Sequence, residues 1–127
     1  MAEYNTDGYT DVRTYVYNNH NWLAIVDDTD TEQLRWDLNS NANITEVAGP
    51  STNPIEYEIT VTGQDLVDAG ATLPVTIERG KLYDSDTSST PYSDNTLTDD
   101  SGNPLSAQLG TVNDEVVATF TNEWPQV

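Results

Sequence analysis

The stretch IEYEITVT, at residues 55–62, alternates apolar and polar side chains at every position. Successive side chains of a β-strand point to opposite faces of its sheet, so this period of two is typical of a strand with one face in a core and the other in water. Half-buried strands of this kind are common in antiparallel sheets. The stretch therefore predicts an antiparallel, all-β fold.

Shorter runs rich in β-branched and aromatic residues lie on both sides of this stretch. They predict further strands at residues 12–17, 22–26, 33–38, 73–79, 96–99, 105–109 and 116–122. Polar turn sequences separate several of these strands, at residues 18–21, 27–30 and 100–104. Only residues 64–69, between two glycines, have a helical composition. The sequence predicts a single antiparallel β-sandwich or barrel-like domain over residues 1–127, with at most one short helical turn.

Charge is the second informative feature of the sequence. The chain has 22 Asp and Glu against 4 Lys and Arg, a formal charge of −18 in 127 residues. Self-repulsion opposes a compact state in dilute buffer, whereas a Debye length of roughly 3 Å in 1 M salt screens most of it. The acids are spread among aromatic and apolar residues, unlike those of an acidic disordered tail. The composition predicts a folded protein adapted to high concentrations of K⁺ or Na⁺.

The same composition argues against several classes of function. Cysteine is absent, and the one histidine, His20, lies in an asparagine-rich turn of a chain without a Gly-x-Ser-x-Gly nucleophile elbow. Phosphate neutralisation needs more Lys and Arg than the chain has. No run of residues is apolar enough for a membrane span. We expect a non-enzymatic protein with no catalytic residue, cofactor or metal site, and no binding to nucleic acid or membrane.

Two acidic loops, at residues 28–32 and 84–88, have part of the spacing of calcium-binding loops. An EF-hand needs glycine at its sixth position and glutamate at its twelfth. Gln33 and Asn39 stand at these positions of the first loop, and other residues stand there in the second. We interpret both loops as solvated acidic turns, with specific calcium binding as the alternative.

Aromatic residues supply the candidate contacts. Tyr15 and Tyr17 share one face of a predicted strand, which faces either the surface or the core. Residues 83–95 place Tyr92 in a background of Ser, Thr and Asp, and predict a long exposed loop that orders by itself or against a partner. Trp124 follows the last strand and needs a pocket, on its own sheet or on a neighbouring copy. The candidate contact residues are therefore Tyr15, Tyr17, Tyr92 and Trp124.

Features of secreted proteins are weak in the sequence. No apolar leader is evident, and Met1 and Ala2 are typical of a natural start, so we expect a complete small protein made in the cytoplasm. Asn43, Ile44 and Thr45 form an N-glycosylation sequon. Such triplets are frequent by chance, and without a secretion signal the sequence alone gives this one no weight.

As a whole, the chain resembles the small structural proteins of haloarchaeal viruses, such as capsid decoration, turret, head-tail or tail proteins. The resemblance rests on its acidic composition, its single lysine, Lys81, and its content of Thr, Asn and Tyr, and it transfers no residue roles. It implies a virion component, made in the host cytoplasm, that contacts other virion proteins and copies of itself in a homo-oligomeric assembly. The alternative is an immunoglobulin-like or carbohydrate-binding module of a haloarchaeal surface protein, located at the cell surface.

Overall fold

A computed structural model of the chain describes residues 22–48 and 55–122. These residues form two antiparallel sheets and one short helix. The elements in chain order are β1 (Trp22–Asp27), β2 (Glu32–Asp37), β3 (Ile44–Ala48), β4 (Ile55–Thr62), α1 (Gly63–Asp68), β5 (Val75–Tyr83), β6 (Ser93–Thr96), β7 (Ala107–Leu109) and β8 (Glu115–Asn122). The predicted all-β fold with one short helical turn is confirmed.

The two sheets are joined along one side. Sheet A has the order β2-β1-β5, and β6 and β7 pair with successive parts of the other edge of β5. Sheet B has the order β3-β4-β8. Just after β6, Thr98 exchanges backbone hydrogen bonds of 3.0 and 2.9 Å with Thr119 of β8. The chain is therefore a sandwich whose sheets meet at the β6–β8 side.

One apolar core is shared by the two sheets. Strand β4 shows why the sequence pattern was informative, because every second residue of it is buried and the residues between are half-buried or exposed. Sheet A contributes residues of β1, β2 and β5 to the same core, and α1 contributes Leu66. The buried members from sheet B are Ile55, Tyr57, Ile59, Val61, Ala118 and Phe120.

The ring of Phe120 of β8 packs directly against the backbone of β5 at Gly80. The side chain of Phe120 is fully buried. A Cβ atom on Gly80 would lie 2.6 Å from Cδ2 of the Phe120 ring, a distance that side chains do not tolerate. Glycine inside a strand weakens it and often marks a close approach of this kind. The ring of Phe120 thus occupies the space that a side chain at position 80 would need.

Buried polar side chains tie the sheets together at the same side. The Oγ of Ser93 donates to Oδ1 of Asn122 at 2.7 Å, and the Nδ2 of Asn95 donates to the carbonyl oxygen of Thr121 at 3.0 Å. Asn122 is only 8% exposed. Because these groups find partners, their burial is tolerated and they fix the register of β6 against β8.

The structure corrects several predicted bounds. The exposed loop predicted at 83–95 is shorter, since Tyr83 is a buried residue of β5 and residues 93–95 belong to β6. The strand predicted at 73–79 begins and ends later, as β5. No strand was predicted where β3 lies. Of the strand predicted at 96–99, Thr96 belongs to β6 and Thr98 forms isolated bridges. Four predicted features lie outside the described residues, namely the strand at 12–17, the turn at 18–21, the Tyr15–Tyr17 pair and Trp124.

We predict that Gly80→Ala lowers the free energy of unfolding by about 1–3 kcal/mol, the usual cost of overpacking a core. The added methyl group meets the ring of Phe120, so the double variant with Phe120→Leu should lose less stability than the sum of the two single variants. Urea unfolding in molar KCl measures all three. Gly110→Ala is the control, because its nearest atom would be Oδ2 of Asp114 at an ordinary 3.7 Å. Strictly additive losses would contradict the contact.

Candidate functional site

The outer face of sheet A collects basic side chains. Leu23 of β1 belongs to the core, so the next residue, Ala24, points to the outer face. Its register partners on the two neighbouring strands are Arg35 and Lys81. Arg79 lies two residues before Lys81 and shares its side of β5. Three of the four basic residues of the chain therefore lie on one face.

Each of these cations has a carboxylate partner. Arg35 pairs with Glu32 at 2.7 Å, and Lys81 pairs with Asp30 at 3.4 Å. The Nε of Arg79 donates to Asp94 at 3.0 Å. The Arg35 and Lys81 side chains are largely buried, and only the Arg79–Asp94 pair is half-exposed on both sides. Asp37, two residues after Arg35 on β2, adds a fourth carboxylate to the same face. With three cations against four carboxylates, the outer face of sheet A is close to charge balance.

The outer face of sheet B has a different charge. Its described charged residues are Glu56 and Glu58 of β4 and Glu115 of β8, and no described basic residue lies there. Thr60 and Val117 pair between them on the same face. The sandwich therefore has one charge-balanced face and one acidic face.

The guanidinium of Arg35 is bound on several sides. It lies 3.6 Å from the centroid of the Tyr83 ring, in cation–π geometry. Its Nε and Nη2 donate to the two carboxylate oxygens of Glu32, at 3.2 and 2.7 Å. Its Nη1 donates to the carbonyl oxygens of Ser85 at 3.0 Å and Ser88 at 2.8 Å. The side chain is 12% exposed, so these bonds are well shielded from water.

Arg35 thereby anchors the loop at residues 84–92 to sheet A. The loop has further bonds of its own, from the Ser88 N–H to Oγ of Ser85 at 3.0 Å and from the Tyr92 N–H to the carbonyl oxygen of Leu82 at 2.8 Å. Its order comes from polar contacts to one arginine rather than from burial of apolar side chains. At the end of this loop, the candidate contact residue Tyr92 is 55% exposed.

The carboxylate of Asp27, just before the acidic loop at 28–32, stabilises the turn between β1 and β2. Oδ1 of Asp27 accepts hydrogen bonds from the N–H and Oγ1 of Thr29 and from the N–H of Thr31, and Oδ2 accepts one from Gln33 at 2.7 Å. Burial alone would raise the pKa of Asp27, but these hydrogen bonds outweigh it and hold the pKa below its usual value. The carboxylate is thus a structural part of the hairpin.

A second turn has the same construction. Asp99 accepts from the N–H groups two and four residues later, as Asp27 does, and its own N–H donates to the carbonyl oxygen four residues later. The fourth residue of each turn has a positive φ, 62° at Asp30 and 80° at Gly102. Both turns begin with Asp-Asp followed by Thr or Ser, a repeated signal that the sequence contained.

Neither acidic loop has the arrangement expected of a calcium site. Among residues 22–48 and 55–122, no group of three or more His, Cys, Asp or Glu side chains is placed to hold a metal ion. In the loop at 84–88, two carbonyl oxygens already face a cation, the guanidinium of Arg35. Two oxygens that a calcium ion could use in the second loop are therefore bonded to Arg35 instead.

Comparisons with known proteins supply no relative for this chain. No family model matches it, and neither the curated proteins nor the solved structures include a match. In the described part of the chain, no helix is long and apolar enough to cross a membrane. A function can therefore be inferred only from the charge and geometry of the residues themselves.

We predict that Asp27→Asn lowers the free energy of unfolding at pH 7 by about 1–3 kcal/mol, because several hydrogen bonds lose a charged acceptor. The pKa of Asp27 is lowered in the folded state, so its stabilisation is complete above the usual carboxyl pKa and is lost as the pH falls through the folded-state pKa. The gap between wild type and variant should therefore shrink on acidification. Urea unfolding in molar KCl over a pH series measures it.

Asp28→Asn is the matched control, since it removes the same charge at an exposed position of the same turn. We expect it to change stability by less than about 0.5 kcal/mol. A gap between wild type and Asp27→Asn that stays constant with pH would contradict a stabilising role of the ionised carboxylate.

We predict that Arg35→Lys frees the loop at 84–92 while both sheets remain folded. Lysine keeps the charge but lacks the planar fork that bonds to Glu32 and to two loop carbonyls at once. Hydrogen exchange should become faster at the N–H groups of Ser88 and Tyr92 and stay unchanged in β4 and β8. Arg79→Lys, which alters a half-exposed pair with Asp94, should leave exchange in the loop unchanged. Full protection of the loop in the Arg35 variant would refute the anchor.

Proposed function

We propose that the chain is a non-enzymatic structural protein of a halophilic archaeal virus particle, such as a capsid decoration, turret, head-tail or tail component. It acts through protein–protein contacts with copies of itself and with other virion proteins. The observation that carries this proposal is the division of charge between a balanced face and an acidic face of one small sandwich. The two faces support the proposal in different ways.

The acidic face supports a high-salt environment. The chain has only four basic residues, and the three in its described part pair with carboxylates on sheet A. Among the described residues, the glutamates on sheet B have no basic neighbour, so dissolved cations would neutralise them. Their mutual repulsion is smallest where the Debye length is shorter than the spacing between charges, which is the condition in molar salt.

The balanced face supports contacts between copies. Bringing two acidic faces together would add like-charge repulsion, whereas the outer face of sheet A adds little because its cations and carboxylates cancel locally. Tyr92 lies beside this face, one residue before Ser93, which pairs with Leu82 of β5. Tyrosine is enriched where protein surfaces meet, since it combines apolar area with a hydrogen-bonding hydroxyl. The centre of this face is already buried, at Ala24, Val26 and Tyr83. We therefore assign the contacts to the exposed margin of sheet A where Tyr92 lies.

The second candidate is an immunoglobulin-like or carbohydrate-binding module of a haloarchaeal surface protein. It is favoured by one observation, the exposed ring of Tyr92 on a loop that Arg35 holds in place. A tyrosine on a rigid support is suited to stacking on a sugar ring. The two candidates differ in self-association, because a symmetric assembly requires contacts between copies and a binding module does not.

We predict a defined oligomer when the mass of the purified protein is measured by light scattering in molar KCl. Tyr92→Ala should shift the population towards monomer, because it removes contact area beside sheet A. Val117→Ala, an equally simple truncation of an exposed residue on the outer face of sheet B, should leave the mass unchanged. A wild-type protein that is monomeric at every concentration would contradict self-assembly and favour the binding module.

A further inference from the structure

The sequon at Asn43, Ile44 and Thr45 is the only one in the chain. It has a chemistry that the proposed function does not use, the attachment of a glycan to the asparagine amide. From the sequence alone, the motif was discounted because such triplets are frequent by chance and no secretion signal is evident. The structure adds the position of these residues, which decides whether a transferase can reach the motif.

The sequon begins in the turn before β3 and ends inside the strand. Asn43 lies in the turn closed by the hydrogen bond from the Ile44 N–H to the carbonyl oxygen of Asn41 at 3.2 Å, and its own carbonyl oxygen accepts the Thr60 N–H of β4 at 2.9 Å. Thr45 pairs with Glu58, whose side chain points away from the core, and Thr45 itself is exposed. The hydroxyl of the sequon is therefore presented on the outer face of sheet B, two residues after a half-buried amide in the turn.

Asn43 is half-buried just before the edge strand β3. Among the described residues, β3 pairs only with β4, so its other edge is open there. The turn before β3 is fixed by a different side chain, because Oδ1 of Asn41 accepts the Asn43 N–H at 2.8 Å. The Nδ2 of Asn43 donates to Oδ2 of Asp65 at 3.3 Å, a long hydrogen bond. A glycosylated amide keeps one N–H, so this bond is compatible with modification.

We propose that Asn43 is an N-glycosylation site, with a lipid-phosphate-linked oligosaccharide as the co-substrate of the modifying transferase. The amide nitrogen forms a bond to the anomeric carbon of the first sugar while the bond from that carbon to the phosphate oxygen breaks. The lipid phosphate leaves with the bonding electrons, and the amide gives one proton to a base of the transferase. The product carries its glycan at the turn before β3, beside the acidic face of sheet B.

A glycan at Asn43 restricts how copies of the chain can contact each other. It covers the edge of sheet B next to β3 and keeps that face towards the solvent. Contacts between copies must then use other surfaces, and the balanced face of sheet A is free of the glycan. Glycosylation can be detected whether the chain is monomeric or oligomeric, so its test is independent of the proposed assembly.

Peptide mass spectrometry of the chain purified from the cells or particles that produce it tests the inference. Trypsin cleaves after Arg35 and Arg79, which places Asn43 in one peptide, residues 36–79. We expect this peptide to be heavier by whole sugar residues, with fragmentation locating them at Asn43. An unmodified peptide, or sugars at another residue, would overturn the proposal.

Variants expressed in the same cells separate sequon recognition from other causes. Thr45→Ala should abolish the modification and Thr45→Ser should retain it, since the transferase recognises the hydroxyl group. Thr60→Ala removes a neighbouring threonine on the same face and should leave the modification intact. Circular dichroism in molar KCl checks that each variant is folded. A glycan that persists in the Thr45→Ala variant would also overturn the assignment.

Discussion

The ring of Phe120 packs against the backbone of β5 at Gly80, and this contact sets how closely the two sheets approach each other. On the same side, Thr98 and Thr119 pair across the sheets. The side chain of Asn95 also donates a hydrogen bond to the backbone of β8. A larger residue at position 80 would push β8 away and open this side. The shared core depends on that approach, whereas β6 and the loop at 84–92 are held by the polar contacts of Asn95 and Arg35.

Charge is the opposing constraint on the same fold. A formal charge of −18 works against any compact state, so the sandwich must place its acids at the surface and leave them to dissolved cations. The three described cations are not scattered over this surface. Arg35, Arg79 and Lys81 balance the outer face of sheet A, and Arg35 also orders a loop that has almost no apolar side chain. Charge balance on one face and acid on the other give the molecule two distinct surfaces.

How well the sequence predicted each element depended on where its stabilising partners lie. Strand β4 was predicted with its full bounds because alternation records its burial locally. Strand β6, with the sequence SDNT, was missed because its support comes from Asn122 and from β5. The role of Arg35 was hidden for the same reason, since the carbonyls that it binds are 50 and 53 residues away. The turn at 27–30 was predicted, and the hydrogen-bonding role of Asp27 could have been, because the same Asp-Asp pattern recurs at Asp99.

The claim on which the functional account depends most is that this fold needs screening of its acidic surface. The direct measurement is the free energy of unfolding in urea as KCl increases from about 0.1 to about 3 M. Since the Debye length falls from about 10 Å at 0.1 M to about 3 Å at 1 M, the account predicts a steep rise in stability over that interval and a much smaller change above it. A free energy of unfolding that is unchanged or lower at 1 M KCl would contradict the account.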